Sequence, residues 1–407
     1  MVKRVLVLDG GGVRGVISLK FLSLLERETG INVSQYFDFF AGTSTGGLIA
    51  TLFAYKKMSA TEILEQVYTL QNVTKIMSQG YYEWALSQIQ VRSKYSDIEK
   101  IKFIGQYVDS GGTTRLRDID TPLLLVAFNP VEKLPLLFRN YFHGPNYLLG
   151  EACNATSAAP TYFPIAKVTI PDASCASSKT DASVNNRGND VESCDGKSHK
   201  INAGGADRGD VKCEQIDQVK NDQSGQSEQI DQVKNEQTGQ SSQGQQLVKS
   251  SGGSGDQLKG GSNFCWAIDG GIFANNPSDL AYLDAKQLFK GEKLEILSVG
   301  TGISKSKFGF RKITNPALGG WDWMIDDNII DLLLDSSQVS SHIRTKQLCR
   351  ENGDQYLRVN EYLLLSSIAL DNTTEANYKR LLEEGELWWR LYSEHSFIKG
   401  LGSQLRP

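Results

Sequence analysis

Residues 41–47 read AGTSTGG and place Ser44 between Gly42 and Gly46, so that the segment satisfies G-x-S-x-G. An apolar run precedes the motif and a second one follows it, which predicts a strand, a sharp turn and a helix. In that context the motif forms a nucleophile elbow, with the serine hydroxyl exposed at the start of the helix. Glycine is needed on both sides because a Cβ would obstruct the tight turn. Taken alone, the motif also fits a flexible surface turn.

The first fifty residues predict a β-α-β-α unit. Residues 5–8 form a continuous apolar run, which is typical of a strand buried on both faces of a parallel sheet. Residues 16–28 have helical spacing of apolar side chains, and Gly30 is placed to end that helix. The next strand leads into the serine motif. Because strands joined through a helix run parallel, we expect a mainly parallel sheet with helices on its faces.

The composition changes abruptly between residues 172 and 262. Ser, Gly, Gln, Asn, Asp and Lys dominate there, and residues 214–227 are repeated almost unchanged as residues 228–241. A segment so poor in large apolar residues cannot bury enough surface to offset its chain entropy, which predicts a disordered insertion. We therefore expect one folded domain in two parts, residues 1–171 and residues 263–407, interrupted by residues 172–262.

Composition and charge argue against several classes of protein. The formal net charge is −4 at pH 7, so the composition lacks the excess of basic residues that is typical of nucleic-acid-binding proteins. The six cysteines form no C-x-x-C pair, which disfavours a zinc site and a disulfide framework and indicates a reducing compartment. No segment reaches the roughly 18 consecutive apolar residues of a membrane-spanning helix. These features predict a cytoplasmic protein, in peripheral contact with membranes at most, without a metal ion or organic cofactor.

A third glycine-rich turn follows a later strand. Asp269, Gly270 and Gly271 come directly after an apolar run and are followed by the asparagine-rich segment at residues 275–277. If this strand runs parallel to the first two, its turn lies with theirs at the C-terminal edge of the sheet, where ligands bind in open α/β folds.

The residue types in the three turns suit acyl transfer. A serine hydroxyl such as that of Ser44 becomes a nucleophile when a base takes its proton, and Asp269 is the acidic candidate for that base. The peptide N–H groups of a glycine run can point at one spot and hold the oxyanion of a tetrahedral intermediate. Arg14 is expected to steady this loop or to face an anionic headgroup. The glycines in question are Gly10, Gly11 and Gly12.

In four motifs, taken in order, the chain resembles the patatin-like phospholipase family. They are DGGGVRG at 9–15, GTSTG at 42–46, ATSAAPTYFP at 155–164 and DGG at 269–271. The resemblance implies a three-layer α/β/α fold and a catalytic dyad of Ser44 and Asp269 without a histidine. It also implies an oxyanion hole shaped by the glycine loop, that is by Gly10, Gly11, Gly12 and Arg14.

The same resemblance implies the reaction. It is hydrolysis of a fatty acyl ester of a glycerolipid, of the phospholipase A or lysophospholipase type, at a membrane or micelle surface. It implies no cofactor. The insertion at residues 172–262 departs from the family pattern and leaves open how access to the site is regulated.

A dinucleotide-binding protein is one alternative. Gly10, Gly12 and Gly15 also satisfy G-x-G-x-x-G after a strand and before a helix. Asp38 lies 23 residues beyond Gly15, close to where such proteins place the acidic residue that binds the ribose. The serine motif and the Asp269 turn have no role in that interpretation.

Two further alternatives stay open. An ordinary α/β-hydrolase needs a catalytic histidine after the acidic residue, and only His342 and His395 follow Asp269. Neither of them sits at a strand end before a glycine turn. A catalytically silent scaffold with the same fold is the other alternative, and it would use the insertion to bind partners.

Overall fold

A computed structural model describes residues 2–78, 93–171, 263–303, 328–367 and 369–403. The predicted insertion lies outside these ranges, so the division of the chain into two folded parts and an insertion stays a prediction. Within the described ranges no helix combines the length and the hydropathy that crossing a membrane requires.

The centre of the described fold is an eight-stranded sheet. Its strands are β1 (Val2–Leu8), β2 (Phe39–Thr43), β3 (Leu123–Asn129), β4 (Leu134–Arg139), β5 (Ala166–Thr169), β6 (Phe264–Asp269), β7 (Lys293–Val299) and β8 (Gln355–Val359). They lie in the order β5-β6-β3-β2-β1-β7-β8, and β4 also pairs with β3. The strands from β3 to β8 along this order are parallel, whereas β4, β5 and β6 pair antiparallel with their neighbours. The mainly parallel sheet predicted from the sequence is confirmed.

Helices cover both faces of this sheet. In the described ranges they are α1 (Gly15–Thr29), α2 (Val33–Tyr36), α3 (Thr45–Thr51), α4 (Ala60–Glu62), α5 (Leu70–Ile76), α6 (Ile98–Tyr107), α7 (Leu149–Thr156), α8 (Gly271–Ala274), α9 (Ser278–Leu288), α10 (Asn328–Asn352), α11 (Glu375–Tyr392) and α12 (Ser396–Ser403). Helices α3 and α4 each continue as a π-helical turn, at Leu52–Lys56 and Ile63–Val67.

Two apolar cores lie on opposite faces of the sheet. Successive residues of a strand point to opposite faces, so Leu6 and Leu8 of β1 enter the larger core and Val5 and Val7 enter the smaller one. Helices α1, α3, α7 and α11 contribute to the larger core, and α9 contributes to the smaller one. The result is the expected three-layer α/β/α fold.

Strand β6 departs from the prediction that all three glycine turns follow parallel strands. It is antiparallel to β3 and overlaps it by two residue pairs, one of which joins Asp269 to Ala127. β6 also pairs antiparallel with β5, the strand that precedes it in the sheet and in the chain, so that the two form a hairpin. Asp269 nevertheless lies at the C-terminal edge of the sheet. It pairs with Ala127, the residue after Val126, and Val126 pairs with Thr43, the residue before Ser44.

The residues that flank the predicted insertion are neighbours in space. Strands β5 and β6 pair antiparallel up to Thr169 and Phe264, and the Ile170 amide donates to the Asn263 carbonyl at 2.8 Å. Residue 171 and residue 263 therefore lie at the open end of a hairpin.

Candidate active site

Ser44 lies in the turn between β2 and α3. Its φ of 55° and ψ of −126° are strained for a residue with a Cβ, and its amide donates to Thr156 Oγ1 at 3.0 Å. The turn is tight, since a Cβ on Gly42 would meet the backbone of Gly46, and a Cβ on Gly46 would meet the end of β1. The strand, sharp turn and helix predicted from G-x-S-x-G are present.

Asp269 approaches Ser44 from β6. Its carboxylate lies near enough to the Ser44 hydroxyl for that group to influence its pKa, and it accepts a hydrogen bond from the Gly271 amide at 2.8 Å. The residue is only 5 % exposed. Burial raises the pKa of Asp269 to about 6, although the nearby Ser44 hydroxyl, the hydrogen bond from Gly271 and the positive charge of Lys100 act to lower it. Asp269 is therefore ionised at neutral pH and still basic enough to accept a proton.

The glycine loop lines the same cavity as Ser44. The amide of Gly10 already donates to the Asn275 carbonyl at 3.1 Å, whereas the amides of Gly11 and Gly12 meet no acceptor in the described part of the chain. Gly12 has a φ of +56°, and a Cβ there would collide with the Leu370 carbonyl. Of the three amides predicted to converge on an oxyanion, two are available.

Residues far along the chain hold this loop in place. The Gly10 carbonyl accepts hydrogen bonds from Thr301 Oγ1 at 2.6 Å and from Asn275 Nδ2 at 3.4 Å. Asp9 forms a buried bidentate ion pair with Arg358 of β8, with one contact at 2.6 Å. Because these partners are distant in sequence, no local pattern points to Arg358 or Thr301. Asn275 lies in the asparagine-rich segment already associated with the Asp269 turn.

Arg14 and the remaining glycines of the motifs lie around the same centre. Arg14 is 6 % exposed and lines the cavity, and its amide donates to the Gly11 carbonyl at 3.1 Å. Burial raises the pKa of Asp9, against the charges of Arg358 and, more weakly, of Arg14. The two predicted roles of Arg14, steadying the loop or facing an anionic headgroup, stay predictions. Gly15 begins α1, and Gly270 and Gly271 follow Asp269 directly.

Three successive residues at the end of α7 each contact a different part of the site. Thr156 Oγ1 accepts the hydrogen bond from the Ser44 amide, the Ser157 carbonyl accepts one from Lys100 Nζ at 3.0 Å, and the Ala158 carbonyl accepts one from the Asp269 amide at 2.9 Å. The ATSAAPTYFP segment thus joins the serine to the carboxylate. Lys100 itself was not singled out by the sequence, since a single lysine in an amphipathic helix looks like part of a solvated face.

A cavity of about 160 Å³ opens beside Ser44 and Asp269. Apart from Ser44, Asp269, the glycine loop and the charged Arg14 and Lys100, its lining is largely apolar, which suits a hydrocarbon chain. Its apolar residues include Leu48, Val73, Met77, Phe163, Leu334 and Leu370. Within the described ranges, no group of His, Cys, Asp and Glu side chains is arranged to hold a metal ion.

The two histidines considered for a triad are engaged elsewhere. His342 Nδ1 lies 3.2 Å from the Tyr356 hydroxyl, and His395 Nδ1 accepts from the Phe397 amide at 3.1 Å. Neither residue lines the cavity.

Asp38 is also remote from the glycine loop. It lies just before β2, and its carboxylate accepts a hydrogen bond from Lys3 Nζ at 2.8 Å. Lys3 lies near the start of β1, at the edge of the sheet opposite the glycine loop. Asp38 is therefore not placed to bind the ribose of a dinucleotide on that loop.

Comparison with known protein families covers the first three of the four motifs. Residues 6–186 match the patatin-like phospholipase family. The matched residues include the glycine loop, Ser44 and Thr156, and they end before Asp269. The resemblance predicted from the sequence is confirmed.

Individual proteins match parts of the chain of similar length. Patatin-like protein 2 of Oryza sativa subsp. indica is 32 % identical over 180 residues, which are 39 % of this chain and 43 % of the rice protein. A cGAMP-activated phospholipase of Vibrio cholerae serotype O1 is 33 % identical over 176 residues, which are 39 % of this chain and 49 % of the bacterial protein. The match thus spans less than half the length of these relatives. The structure of human GIVD cytosolic phospholipase A2 aligns with 99 % of this chain and 60 % of its own, at 10 % identity and a TM-score of 0.42.

Proposed function

We propose that this protein is a serine lipid acyl hydrolase, of the phospholipase A or lysophospholipase type, that cleaves fatty acyl esters of glycerolipids. The observation that carries the proposal is the placement of the Ser44 hydroxyl beside the buried Asp269 carboxylate, in the lining of one apolar cavity. The family match of residues 6–186, and the activity named for the Vibrio relative, support the same chemistry.

In the first half of the proposed reaction Ser44 Oγ attacks the acyl carbonyl carbon while Asp269 accepts the hydroxyl proton. The carbonyl oxygen becomes an oxyanion, which the amides of Gly11 and Gly12 stabilise, at about 3 kcal/mol for each donor. Asp269 then gives its proton to the alcohol oxygen as the ester C–O bond breaks. The lysophospholipid or glycerophosphodiester product leaves, and the fatty acid stays esterified to Ser44.

The second half uses water as the nucleophile. Asp269 accepts a proton from the water molecule as its oxygen attacks the acyl-enzyme carbonyl, and the same two amides hold the new oxyanion. The bond to Ser44 Oγ breaks, the proton on Asp269 returns to that oxygen, and the fatty acid is released. With a pKa of about 6, Asp269 accepts and returns a proton near neutral pH without a large energetic penalty in either direction.

The apolar cavity gives the proposed site its preference for a long acyl chain. We propose that the chain enters from a membrane or micelle surface and lies against the apolar lining, with its ester group at Ser44. A polar headgroup then stays outside the apolar part of the cavity. The proposed steps use side chains and amides of the protein and a water molecule, and none of them uses a metal ion. Activity is therefore expected to persist in the presence of a chelator.

The test is fatty-acid release from mixed phospholipid vesicles and lysophospholipid micelles, with a chelator present. We expect release by the wild type and a loss of at least about a thousandfold in Ser44→Ala and in Asp269→Asn. Ser23→Ala is the matched control, because the Ser23 hydroxyl bonds only to the Lys20 carbonyl of its own helix, at 2.9 Å. Release by Ser44→Ala at the wild-type rate, or no release by the wild type from either substrate, would contradict the proposal.

A further inference from the structure

The wall of the cavity contains a buried lysine that the proposed dyad leaves without a role. Lys100 belongs to α6, is 2 % exposed, and lines the cavity together with Ser44 and Asp269. Lysine is rarely buried to this extent, because an ammonium group loses its hydration there. A methionine would fill similar space without that cost.

The ammonium group is held by neutral groups. Lys100 Nζ donates to the Ser157 carbonyl at 3.0 Å and to the Asn154 carbonyl at 3.3 Å, both at the C-terminal end of α7, where the helix dipole favours a cation. It also lies 4.4 Å from the centre of the Phe163 ring. No carboxylate of a described residue forms a hydrogen bond or ion pair with it. The position of the charge is therefore set by the end of α7 and not by a salt bridge.

Two carboxylates act on this charge through space, Asp269 of β6 and Asp97 just before α6. Burial lowers the pKa of Lys100 to about 8, in spite of both carboxylates, so the side chain is cationic at neutral pH. In return, Lys100 is the charged group that lowers the pKa of Asp269. The other charged or titratable side chains in the cavity wall are Arg14, Tyr68 and Tyr162.

We infer that Lys100 is a positioning residue for the dyad, whose buried ammonium, fixed on the last carbonyls of α7, keeps Asp269 ionised beside Ser44. The inference rests on the proposed function, since an ionised Asp269 matters there as the base that activates Ser44. Without the cation, Asp269 retains its proton to higher pH and cannot accept the proton of Ser44. The same short segment that holds the Ser44 and Asp269 amides thus also fixes the charge that tunes the base.

The test measures the reactivity of Ser44 directly, without a lipid surface. An alkyl fluorophosphonate is attacked at phosphorus by the serine oxygen, the P–F bond breaks, fluoride leaves, and Asp269 takes the serine proton. The labelling rate constant is measured between about pH 5 and pH 9 for the wild type, Lys100→Met and Lys102→Met. Lys102 is the matched control, because it lies on the same helix with a side chain that is 67 % exposed.

In the wild type and in Lys102→Met we expect labelling to slow as the pH falls through about 6, where Asp269 is protonated. In Lys100→Met the same decline is expected about one pH unit higher, which makes labelling at about pH 6 roughly fivefold slower than in the wild type. Above about pH 8 the rate is expected to recover, because Asp269 is then ionised in both proteins. An unshifted decline, or an equal loss at every pH, would overturn the inference.

Two further variants separate charge from packing. Lys100→Arg keeps the cation and is expected to keep the wild-type pH profile, so a shift as large as that of Lys100→Met would also overturn the inference. If circular dichroism shows that Lys100→Met does not fold, Lys100→Gln replaces it, because its amide can still donate to a carbonyl of α7. A wild type that neither reacts with the fluorophosphonate nor releases fatty acid contradicts the proposed function. A reactive wild type with an unshifted Lys100→Met profile contradicts only the role of Lys100.

Discussion

The Ser44 amide donates a hydrogen bond to the hydroxyl of Thr156, 112 positions later in the chain, at 3.0 Å. The same hydroxyl donates to the Val126 carbonyl of β3 at 2.5 Å. Thr156 is fully buried, so this pair of bonds ties the strained serine to the neighbouring strand through a single side chain. The serine is thereby held by a residue outside its own motif.

Replacing that hydroxyl by a methyl group is expected to affect both stability and activity. Thr156→Val leaves the Ser44 amide without its acceptor, so we expect a loss of about 1–3 kcal/mol in the free energy of unfolding and slower fatty-acid release. Urea unfolding and the vesicle assay measure the two effects. Thr345→Val is the matched control, because Thr345 is equally buried and its hydroxyl bonds to the Ser341 carbonyl of its own helix, at 2.8 Å. Equal loss of activity in the two variants would count against a specific role of Thr156.

The backbone of Ser44 predicts an unusual order of stability among inactive variants. Glycine adopts a positive φ without the steric cost that a Cβ carries. Ser44→Gly is therefore expected to be more stable than Ser44→Ala, by about 1 kcal/mol in the free energy of unfolding, although both variants are inactive. Urea unfolding of the two variants side by side measures the difference. An alanine variant as stable as the glycine variant would show that the turn carries no strain.

The raised pKa of Asp269 predicts that its buried carboxylate lowers the stability of the folded protein at neutral pH. A carboxyl group whose pKa is about 6 in the folded protein, against a usual 3.8, contributes stability that is full below pH 3.8 and is lost as the pH rises through about 6. Asp269→Asn stays neutral throughout. We expect it to be more stable than the wild type at about pH 8, by up to about 3 kcal/mol, and no more stable at about pH 4. Urea unfolding at the two pH values checks this, and an advantage that does not depend on pH would contradict it.

The ion pair beneath the glycine loop predicts a linked loss of stability and activity. Arg358→Met leaves Asp9 buried without its partner, which is expected to cost about 3–5 kcal/mol and to displace the loop. Arg139→Met is the control, because Arg139 also forms a bidentate pair, with Asp284, at 2.6 and 3.0 Å, but does not line the cavity. Activity per folded molecule, measured by fluorophosphonate labelling, should fall only in Arg358→Met. A comparable fall in Arg139→Met would mean that general destabilisation is the cause.

The hairpin of β5 and β6 predicts that residues 172–262 can be replaced. Because Ile170 and Asn263 are already hydrogen-bonded, a two-residue Asn-Gly turn between them, which also replaces Pro171, can join the two strands. We expect the shortened chain to fold and to keep the fatty-acid release of the full chain. Circular dichroism and the vesicle assay test it, and an insoluble or inactive product would show that the segment contributes to the fold.

Local patterns were sufficient for the parts of the site that depend on short segments. The helix predicted over residues 16–28 extends from Gly15 to Thr29, and Gly30 ends it in the left-handed conformation. The turn at Ser44 followed from its glycines and from the apolar runs on either side, because these features act within a few residues.

Other parts of the site depend on contacts that no short segment encodes. The direction of β6 is set by its pairing with β5 across residues 172–262. Arg358 alternates with apolar residues in β8 like any polar side chain on an exposed face, and its burial against Asp9 depends on the packing of distant elements. Lys100 belongs to an ordinary amphipathic helix. Its ammonium group is stabilised by carbonyl groups at the end of α7 and by the Phe163 ring, all of them distant in sequence.

The adjacency of residues 171 and 263 also makes this a natural place to divide the molecule. Two separate polypeptides ending and beginning there would each carry one member of the proposed dyad, Ser44 in the first and Asp269 in the second. Neither fragment would hold a complete sheet, since β1 pairs with β7 across the division and β3 pairs with β6. Hydrolysis by a mixture of the two fragments would therefore report their reassembly, with the central sheet itself as the complementation interface.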